Sequence, residues 1–265
     1  MDTLQAILLG IVQGITEFLP VSSSGHLQIA KAVMGLELAE NSLTVDVVLH
    51  AATVLSTIVV LWSEVLRLLK GLFSKYFTDE QAYVLKIALS MIPVGIVGLL
   101  LEDKVNAMLN EPYILVIVGC MLLLTAALLA FAYYAHPRIK EKISYRDAFI
   151  IGVAQALAVM PGLSRSGSTI GTGLLLGNKK ESVAQFSFLM VLVPILGKMF
   201  LDIIGGDFTG ETVTGPLAAG FFAAFITGCL ACKFMIEIVK RGKLIWFAVY
   251  CGVAGLVSIG SYLFN

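Results

Sequence analysis

The sequence predicts an all-α polytopic membrane protein with about six transmembrane helices and two re-entrant helix-loop-helix hairpins in an inverted-topology repeat. Three observations support this fold class: an apolar composition, six long apolar runs, and two interrupted apolar stretches that resemble each other. Of the 265 residues, 58% are hydrophobic and 14% are charged, whereas soluble domains contain about 45–50% apolar and about 25% charged residues. An apolar excess of this size requires lipid around the protein.

Six apolar runs approach or exceed the roughly 17–25 residues with which a helix crosses a membrane. They are Val45 to Trp62, Tyr83 to Leu101, Tyr113 to Tyr134, Val183 to Ile204, Pro216 to Ile238 and Ile245 to Leu263. The first ten residues lack the basic segment and cleavage site of a signal peptide, so we expect the first apolar stretch to remain in the mature protein. The four cysteines lie in apolar runs, and we expect free thiols.

Two further apolar stretches, Leu4 to Ile29 and Ala148 to Leu176, are interrupted in the middle by Pro, Ser and Gly. Interrupted backbone at membrane depth is tolerated only where protein or a water-filled cavity satisfies its polar groups. We therefore expect each stretch to form a re-entrant helix-loop-helix hairpin that returns to its own side of the membrane.

The two interrupted stretches match each other without gaps at an offset of 148 − 6 = 142 residues. The matched pairs are Ala6 with Ala148, Gly10 with Gly152, Gln13 with Gln155, Ser22 with Ser164, Ser24 with Ser166, Gly25 with Gly167 and Gly35 with Gly177. We predict one membrane domain, 1–265, built from repeat one (1–135) and repeat two (147–265), each a hairpin followed by three spans. Three spans between the hairpins would invert the second copy, and the broken helices would meet near the midplane.

Lys and Arg accumulate on the cytoplasmic side of membrane proteins, and their positions here predict the orientation. One side would receive Arg67, Lys70, Lys75, Arg138, Lys140, Lys142, Arg146, Lys179, Lys180, Lys240, Arg241 and Lys243, and the other little beyond Lys104. We therefore expect both termini and the first hairpin on the non-cytoplasmic side. Basic and acidic residues number 18 each, so overall charge gives no indication of a nucleic-acid partner.

The first interruption combines a carboxylate, hydroxyls and an imidazole. Gln13 and Glu17 are four residues apart and share a helix face, and Pro20 ends that helix. The hydroxyls and the imidazole follow directly as Ser22, Ser23, Ser24 and His26. These residue types can supply a nucleophile and a base. Glu17 could hold a divalent cation or orient His26 as a base, and the sequence does not choose between the two.

The second interruption places an arginine among hydroxyls and glycines: Ser164, Arg165, Ser166, Gly167 and, after Ser168, Thr169. An arginine at membrane depth costs at least about 2.5–3.5 kcal/mol on insertion scales, which indicates a function. Guanidinium groups bind phosphate oxygens bidentately, and the hydroxyls and freed backbone N–H groups can complete an anion site. The alternative is a structural arginine that pairs within the bundle, for instance with Glu17.

The two motifs, Pro20 to His26 after Glu17 and Pro161 to Thr169, together resemble those of the undecaprenyl-diphosphate phosphatase (bacitracin-resistance) family. The resemblance covers essentially the whole chain. It implies a hydrolase of the bacterial cytoplasmic (inner) membrane that removes the terminal phosphate from undecaprenyl (C55) diphosphate. The monophosphate carrier for cell-wall synthesis is thereby recycled and bacitracin sensitivity falls. It also implies a divalent cation, Mg²⁺ or Ca²⁺, and a site that faces the periplasm or exterior; a homodimer is compatible with it.

By motif position, the resemblance implies that Glu17 aids the metal or the base, that Ser23 and His26 serve the chemical step, and that Arg165 binds diphosphate. The predicted substrate-binding residues are Gln13, Ser22, Ser24, Ser164, Ser166, Gly167 and Thr169. Many family members have a second glutamate where this chain has Gln13. A glutamine can ligate through its carbonyl but cannot act as a base.

Two other functions are compatible with parts of the pattern. A polyprenyl-phosphate flippase would share the inverted repeat and the phosphate site but needs no nucleophile. The acid-phosphatase-like lipid phosphatases require a second histidine shortly after the arginine, and residues 170–176 contain none. Asp46 and His50 share a helix face near the site and could extend it, although a helix cap explains Asp46 equally well.

Overall fold

A computed structural model describes residues 1–36, 42–109, 113–134, 140–204 and 215–263, without the side chains of residues 32, 42, 43, 99, 101–109 and 202–204. These ranges contain twelve helices and no β-strand. The helices are α1 (Thr3–Phe18), α2 (Ser23–Val33), α3 (Ser42–Val60), α4 (Trp62–Leu72), α5 (Asp79–Leu109), α6 (Ile114–Tyr134), α7 (Tyr145–Leu157), α8 (Arg165–Leu175), α9 (Lys180–Met190), α10 (Leu192–Ile204), α11 (Gly215–Arg241) and α12 (Ile245–Leu263).

Five segments of the described chain are long and apolar enough to cross a membrane, and there are six if the bent pair α3 and α4 is one span. The five are Asp79–Gly98, Ile114–Tyr134, Lys180–Leu201, Gly215–Arg241 and Ile245–Leu263. The predicted all-α polytopic membrane fold is therefore confirmed. The four cysteines are free thiols, as expected.

Two of the predicted apolar runs are less regular than their composition suggested. The first run ends at Val60, where the chain turns by 81° into α4, which carries the charged residues Glu64, Arg67 and Lys70. The fourth run is divided at Val191 into α9 and α10. Pro194 explains this division, because it has no N–H to donate and its ring clashes with the carbonyl of the residue four positions earlier, Met190.

Both interrupted stretches form two helices with an irregular segment between them, as predicted. In the first stretch α1 ends at Phe18, just before Pro20, and α2 begins at Ser23. In the second, residues 158–164 separate α7 from α8, and the Ser164 hydroxyl caps α8 by accepting from the N–H of Gly167 at 3.1 Å. Whether the hairpins re-enter the membrane from opposite sides stays a prediction.

The first helix of each hairpin packs against a long helix of the other half of the chain. α1 packs along α11, α7 along α5, and α6 along α12. A Cβ atom added to Gly10 would lie 2.2 Å from the carbonyl oxygen of Gly220, so α1 and α11 touch through their backbones. At the matched position in the second hairpin, a Cβ on Gly152 would lie 2.3 Å from the carbonyl oxygen of Ser90. The division into repeats 1–135 and 147–265 stays a prediction.

The described basic residues between the helices gather at one end of the molecule. Lys142 pairs with Asp79 at the start of α5 at 2.8 Å, and Lys240 lies 3.9 Å from Glu181 at the start of α9. Lys140 also pairs with Asp147 at the start of α7. Arg138 and the side chain of Lys104, which entered the orientation argument, lie outside the described part of the chain.

We expect Gly10→Val to separate α1 from α11, because the added side chain would overlap the Gly220 carbonyl and backbone cannot move aside cheaply. The loss should be about 1–3 kcal/mol or more and appear as a lower Tm of the purified protein in detergent. Gly98→Val is the matched control, since nothing lies within 4 Å of a Cβ at that helical position. Equal Tm values for the two variants would contradict the close contact.

Candidate active site

The two interruptions contact each other directly. The Ser166 hydroxyl, at the start of α8, donates to the carbonyl oxygen of Leu19 at 3.1 Å. A Cβ atom on Gly167 would lie only 3.2 Å from the Cβ of Pro20. The two polar motifs, 147 residues apart at Leu19 and Ser166, are therefore parts of one site.

Glu17 and Arg165 form an ion pair across this junction. Arg165 Nη1 lies 3.5 Å from Glu17 Oε1, and the side chains are 33% and 6% exposed. The end of α1 positions the carboxylate and the first residue of α8 positions the guanidinium. Because a third of the Arg165 side chain is exposed, the guanidinium is accessible to a second anion beside Glu17.

Three further groups surround the Glu17 carboxylate. The Ser23 hydroxyl donates to Oε2 at 2.9 Å, and the Gln13 side-chain amide donates to the same oxygen at 3.1 Å. His50 Nε2 lies 3.9 Å from it. Glu17 thus has a hydroxyl, an amide, an imidazole and a guanidinium around it, and the predicted meeting of Gln13, Glu17, Ser23 and Arg165 is observed.

His26 points away from this cluster. Its Nδ1 lies 2.9 Å from the carbonyl oxygen of Ser22, and because a carbonyl can only accept, Nδ1 carries the proton. Nε2 is then left to accept from the hydroxyl of Tyr250 at 2.5 Å, and the two rings stack with centroids 5.7 Å apart. A role for His26 in the chemical step stays a prediction. Tyr250 was not predicted from the sequence, because no motif distinguishes it from the other tyrosines in apolar runs.

His50 is the imidazole nearest to Glu17. Its Nδ1 donates to the backbone carbonyl of Asp46 at 2.7 Å, and its Nε2 lies 3.9 Å from Glu17 Oε2. The Asp46 carboxylate is instead paired with Lys31 at 2.7 Å. The spacing of Asp46 and His50 indicated a shared face, and of the two side chains only the imidazole of His50 contacts Glu17.

The other predicted serine and threonine ligands largely bond to the protein itself. Thr169 donates to the carbonyl oxygen of Arg165 at 3.0 Å and lies 2.6 Å from the Ser187 hydroxyl. Ser164 caps α8 and lies 3.4 Å from the Ser166 hydroxyl. These contacts fix the loop that carries Arg165. Their predicted role as ligands of a diphosphate is not tested by these contacts.

The hydroxyls of the first interruption differ in exposure. Ser22 is buried and has φ 71°, a left-handed conformation that is uncommon outside glycine. Its hydroxyl lies 3.4 Å from that of Ser24, which is exposed. Of the three serines, the structure brings Ser23 alone into hydrogen-bond contact with Glu17.

A cavity opens beside Glu17 and Arg165, between α1, α3, α8, α9 and α10. Its polar lining includes Thr53, Thr57 and Ser187, and its other wall is formed by apolar side chains. These three hydroxyl residues were not predicted from the sequence. Each is a polar residue within an apolar run, and this contrast could have identified all three.

The donors around Glu17 are compatible with a hard divalent cation. Gln13 Oε1 is buried and has no hydrogen-bond partner, so a carbonyl oxygen is free next to a carboxylate and the Ser23 hydroxyl. Oxygen donors of these types are those that Mg²⁺ and Ca²⁺ prefer. Within the described residues, no group of three or more His, Cys, Asp or Glu side chains forms a metal cluster, so the amide oxygen would be needed.

Comparison with known proteins gives matches over nearly the whole chain. The family model described as bacitracin resistance protein BacA matches residues 6–257. A protein of Parabacteroides distasonis named undecaprenyl-diphosphatase is 59% identical over 267 residues, covering 99% of each chain. Proteins of the same name from Bacteroides thetaiotaomicron and Methanosphaera stadtmanae are 58% and 36% identical, each over 98% of both chains.

We expect a Pro20→Cys, Gly167→Cys double variant to form a disulfide under mild oxidation, because its Cβ atoms would lie near the roughly 3.5–4.5 Å that a disulfide requires. Digestion and mass spectrometry should detect the cross-linked peptide, and it should be absent from each single variant. Recovery of both introduced cysteines as separately alkylated thiols would contradict the contact between the two interruptions.

Proposed function

The chain belongs to the bacitracin resistance protein family, and we infer from this membership that it is an undecaprenyl-diphosphatase. It is a multi-pass membrane hydrolase that converts undecaprenyl (C55) diphosphate to the monophosphate and phosphate. The product is the lipid carrier of cell-wall synthesis, and its recycling opposes bacitracin. A flippase has no support among the relatives described above, all named as diphosphatases.

The observation that carries the chemistry is the Glu17–Arg165 pair with Ser23 bonded to its carboxylate. An anion binder needs only the arginine. A hydrolase also needs a nucleophile next to a group that can take its proton, and the 2.9 Å bond from the Ser23 hydroxyl to Glu17 Oε2 meets that requirement.

We propose that Arg165 binds the diphosphate and that Ser23 attacks the terminal phosphorus. The Ser23 oxygen forms the new P–O bond, its proton passes to Glu17, and the bond to the bridging oxygen breaks, so that C55 monophosphate leaves. Water then attacks the phosphoserine, the bond between phosphorus and the Ser23 oxygen breaks, phosphate departs with one proton of the water, and the other proton restores the serine hydroxyl. Glu17 releases its proton to solvent before the next turnover. Arg165 offsets the charge that accumulates on the phosphoryl oxygens.

His50 is the group best placed to act on Glu17 once it has taken the proton. Its Nε2 faces the carboxylate at 3.9 Å, and in the neutral form of His50 this nitrogen can stabilise a protonated Glu17 by accepting from it. His50 is thus a positioning residue for Glu17. In this arrangement His26, held by Ser22 and Tyr250, contributes to the shape of the first interruption.

A divalent cation, Mg²⁺ or Ca²⁺, would be held by Glu17 and the free carbonyl oxygen of Gln13. When bound, it would supply positive charge that polarises the phosphoryl group. The membrane is proposed to be the bacterial cytoplasmic (inner) membrane, with the basic end of the molecule in the cytoplasm and the site facing the periplasm or exterior.

Replacement of Ser23 and Arg165 should separate chemistry from binding. Ser23→Ala should lower kcat for phosphate release from C55 diphosphate by at least about 10³-fold, because the nucleophile is lost. Arg165→Ala should lower kcat/KM by about 10²–10³-fold, and Arg165→Lys should recover little of it because the bidentate geometry is missing. Full turnover by Ser23→Ala would reject Ser23 as nucleophile.

The two described histidines should differ in their effect on turnover. We expect His50→Gln to lower kcat by at least about tenfold, since removal of a base partner commonly costs about 10²–10⁴-fold and the glutamine amide can still approach Glu17. His26→Gln is the matched comparison and should have the smaller effect. A larger effect at His26, measured in the same detergent micelles, would contradict this assignment.

Removal of divalent cations with EDTA should abolish phosphate release, and added Mg²⁺ or Ca²⁺ should restore it. Gln13→Leu removes the free carbonyl oxygen and should weaken the apparent cation affinity by about tenfold or more, whereas Gln13→Glu should strengthen it. Binding of Mn²⁺, followed by electron paramagnetic resonance, measures this independently of activity. Equal Mn²⁺ affinities in the three proteins would remove Gln13 from the cation site.

A further inference from the structure

The cavity at Glu17 and Arg165 has an apolar side that the head-group chemistry does not use. This side is formed by Val54 on α3 and by Val191, Leu192 and Ile195 at the start of α10. Val54 and Ile195 are buried, at 5% and 7% exposed. A single cavity therefore joins an ion pair to a wall of aliphatic side chains.

The apolar wall includes residues whose neighbours in α10 are exposed on the outside of the molecule. α10 begins at Leu192, just after the break between α9 and α10 that Pro194 explains. Leu192 and Ile195 are three residues apart and share one helix face. The adjacent residues Val193 and Leu196 are 47% and 46% exposed. In a span of the membrane, such side chains face lipid, so the first turn of α10 borders both the cavity and the bilayer.

The hydroxyls nearest to this wall are already bonded within the protein. Thr53 donates to the carbonyl oxygen of His50 at 2.8 Å, and Thr57 donates to that of Thr53 at 3.0 Å. Because both threonine hydroxyls already donate hydrogen bonds within α3, the α3 side of the cavity presents mainly methyl groups. Such a surface suits a hydrocarbon better than a second polar group.

We propose that the first isoprene units of the substrate lie between α3 and α10, against Val54, Leu192 and Ile195. This inference rests on the proposed function. With the diphosphate on Arg165, the covalently attached tail has to leave the same cavity, and the aliphatic wall is the part of its lining that does not desolvate polar groups. Beyond Ile195 the tail enters the bilayer along α10.

A second apolar groove does not meet the same requirements. It lies between α5 and α7 and is lined by Ile92, Pro93, Ile96, Val97, Phe149, Val153, Ala156 and Leu157. It shares no lining residue with the cavity at Glu17, and it contains no charged or hydroxyl side chain. With the tail bound there, the diphosphate would have no positively charged side chain of the groove to bind.

Narrowing the proposed path should weaken binding of the C55 substrate without changing the chemical step. We expect Leu192→Trp to raise KM for C55 diphosphate by about tenfold, from the cost of overfilling a packed apolar site, with kcat changed less than about twofold. The inhibition constant of inorganic pyrophosphate, which has no tail, should stay constant. Ile96→Trp, in the second groove, is the matched control and should leave all three values unchanged.

A second measurement uses the unmodified chain and so does not depend on the folding of a variant. A polyprenyl diphosphate with a photoreactive diazirine in its first isoprene units should label peptides from α3 and α10. Labelling of α5 and α7, or a raised KM in Ile96→Trp with none in Leu192→Trp, would overturn the proposal. If the unmodified protein released no phosphate from C55 diphosphate, the proposed function itself would be rejected.

Discussion

The structure depends on one constraint: the buried carboxylate of Glu17 must be compensated inside an apolar bundle. An unpaired buried charge costs several kcal/mol even after relaxation. Compensation comes from Arg165, from Ser23 and from Gln13, and these groups stand on two interrupted helices far apart in sequence. The meeting of the interruptions is therefore coupled to the proposed chemistry, because the same contacts that satisfy Glu17 bring Ser23, the proposed nucleophile, and Arg165, the proposed phosphate-binding residue, together.

Close helix packing makes this meeting possible. Gly10 lets α1 contact α11 through the backbone, and Gly152 does the same for α7 and α5. Lipid provides no hydrophobic force between helices, so such small residues provide the packing on which association in a membrane relies. Ser166 and Gly167 then join the second interruption to Leu19 and Pro20. The first helix of each hairpin is thus fixed by backbone contacts with a long neighbouring helix.

Much of this arrangement follows from the sequence because its signals are local. Runs of apolar residues predict the spans, and Pro20 and the Ser-Gly segments predict the breaks. The resemblance of the two motifs predicted which residues meet. Long-range geometry was less accessible. Each of the two histidines lies near polar residues in the sequence, and only their contacts distinguish them. His26 contacts Ser22 and Tyr250, whereas His50 contacts Asp46 and lies near Glu17. The bend at Val60 and the division at Val191 likewise depend on packing and on single residues within otherwise uniform runs.

We expect one head group to bind between the hairpin that carries Glu17 and the hairpin that carries Arg165. The most direct test is an experimental structure with a C55 methylene-diphosphonate, which cannot be hydrolysed at its bridge, and Ca²⁺. We predict phosphonate density in contact with the Arg165 guanidinium, with the terminal phosphorus facing the Ser23 hydroxyl. Density for the head group at a place remote from Arg165, with the Glu17–Arg165 pair intact, would contradict it.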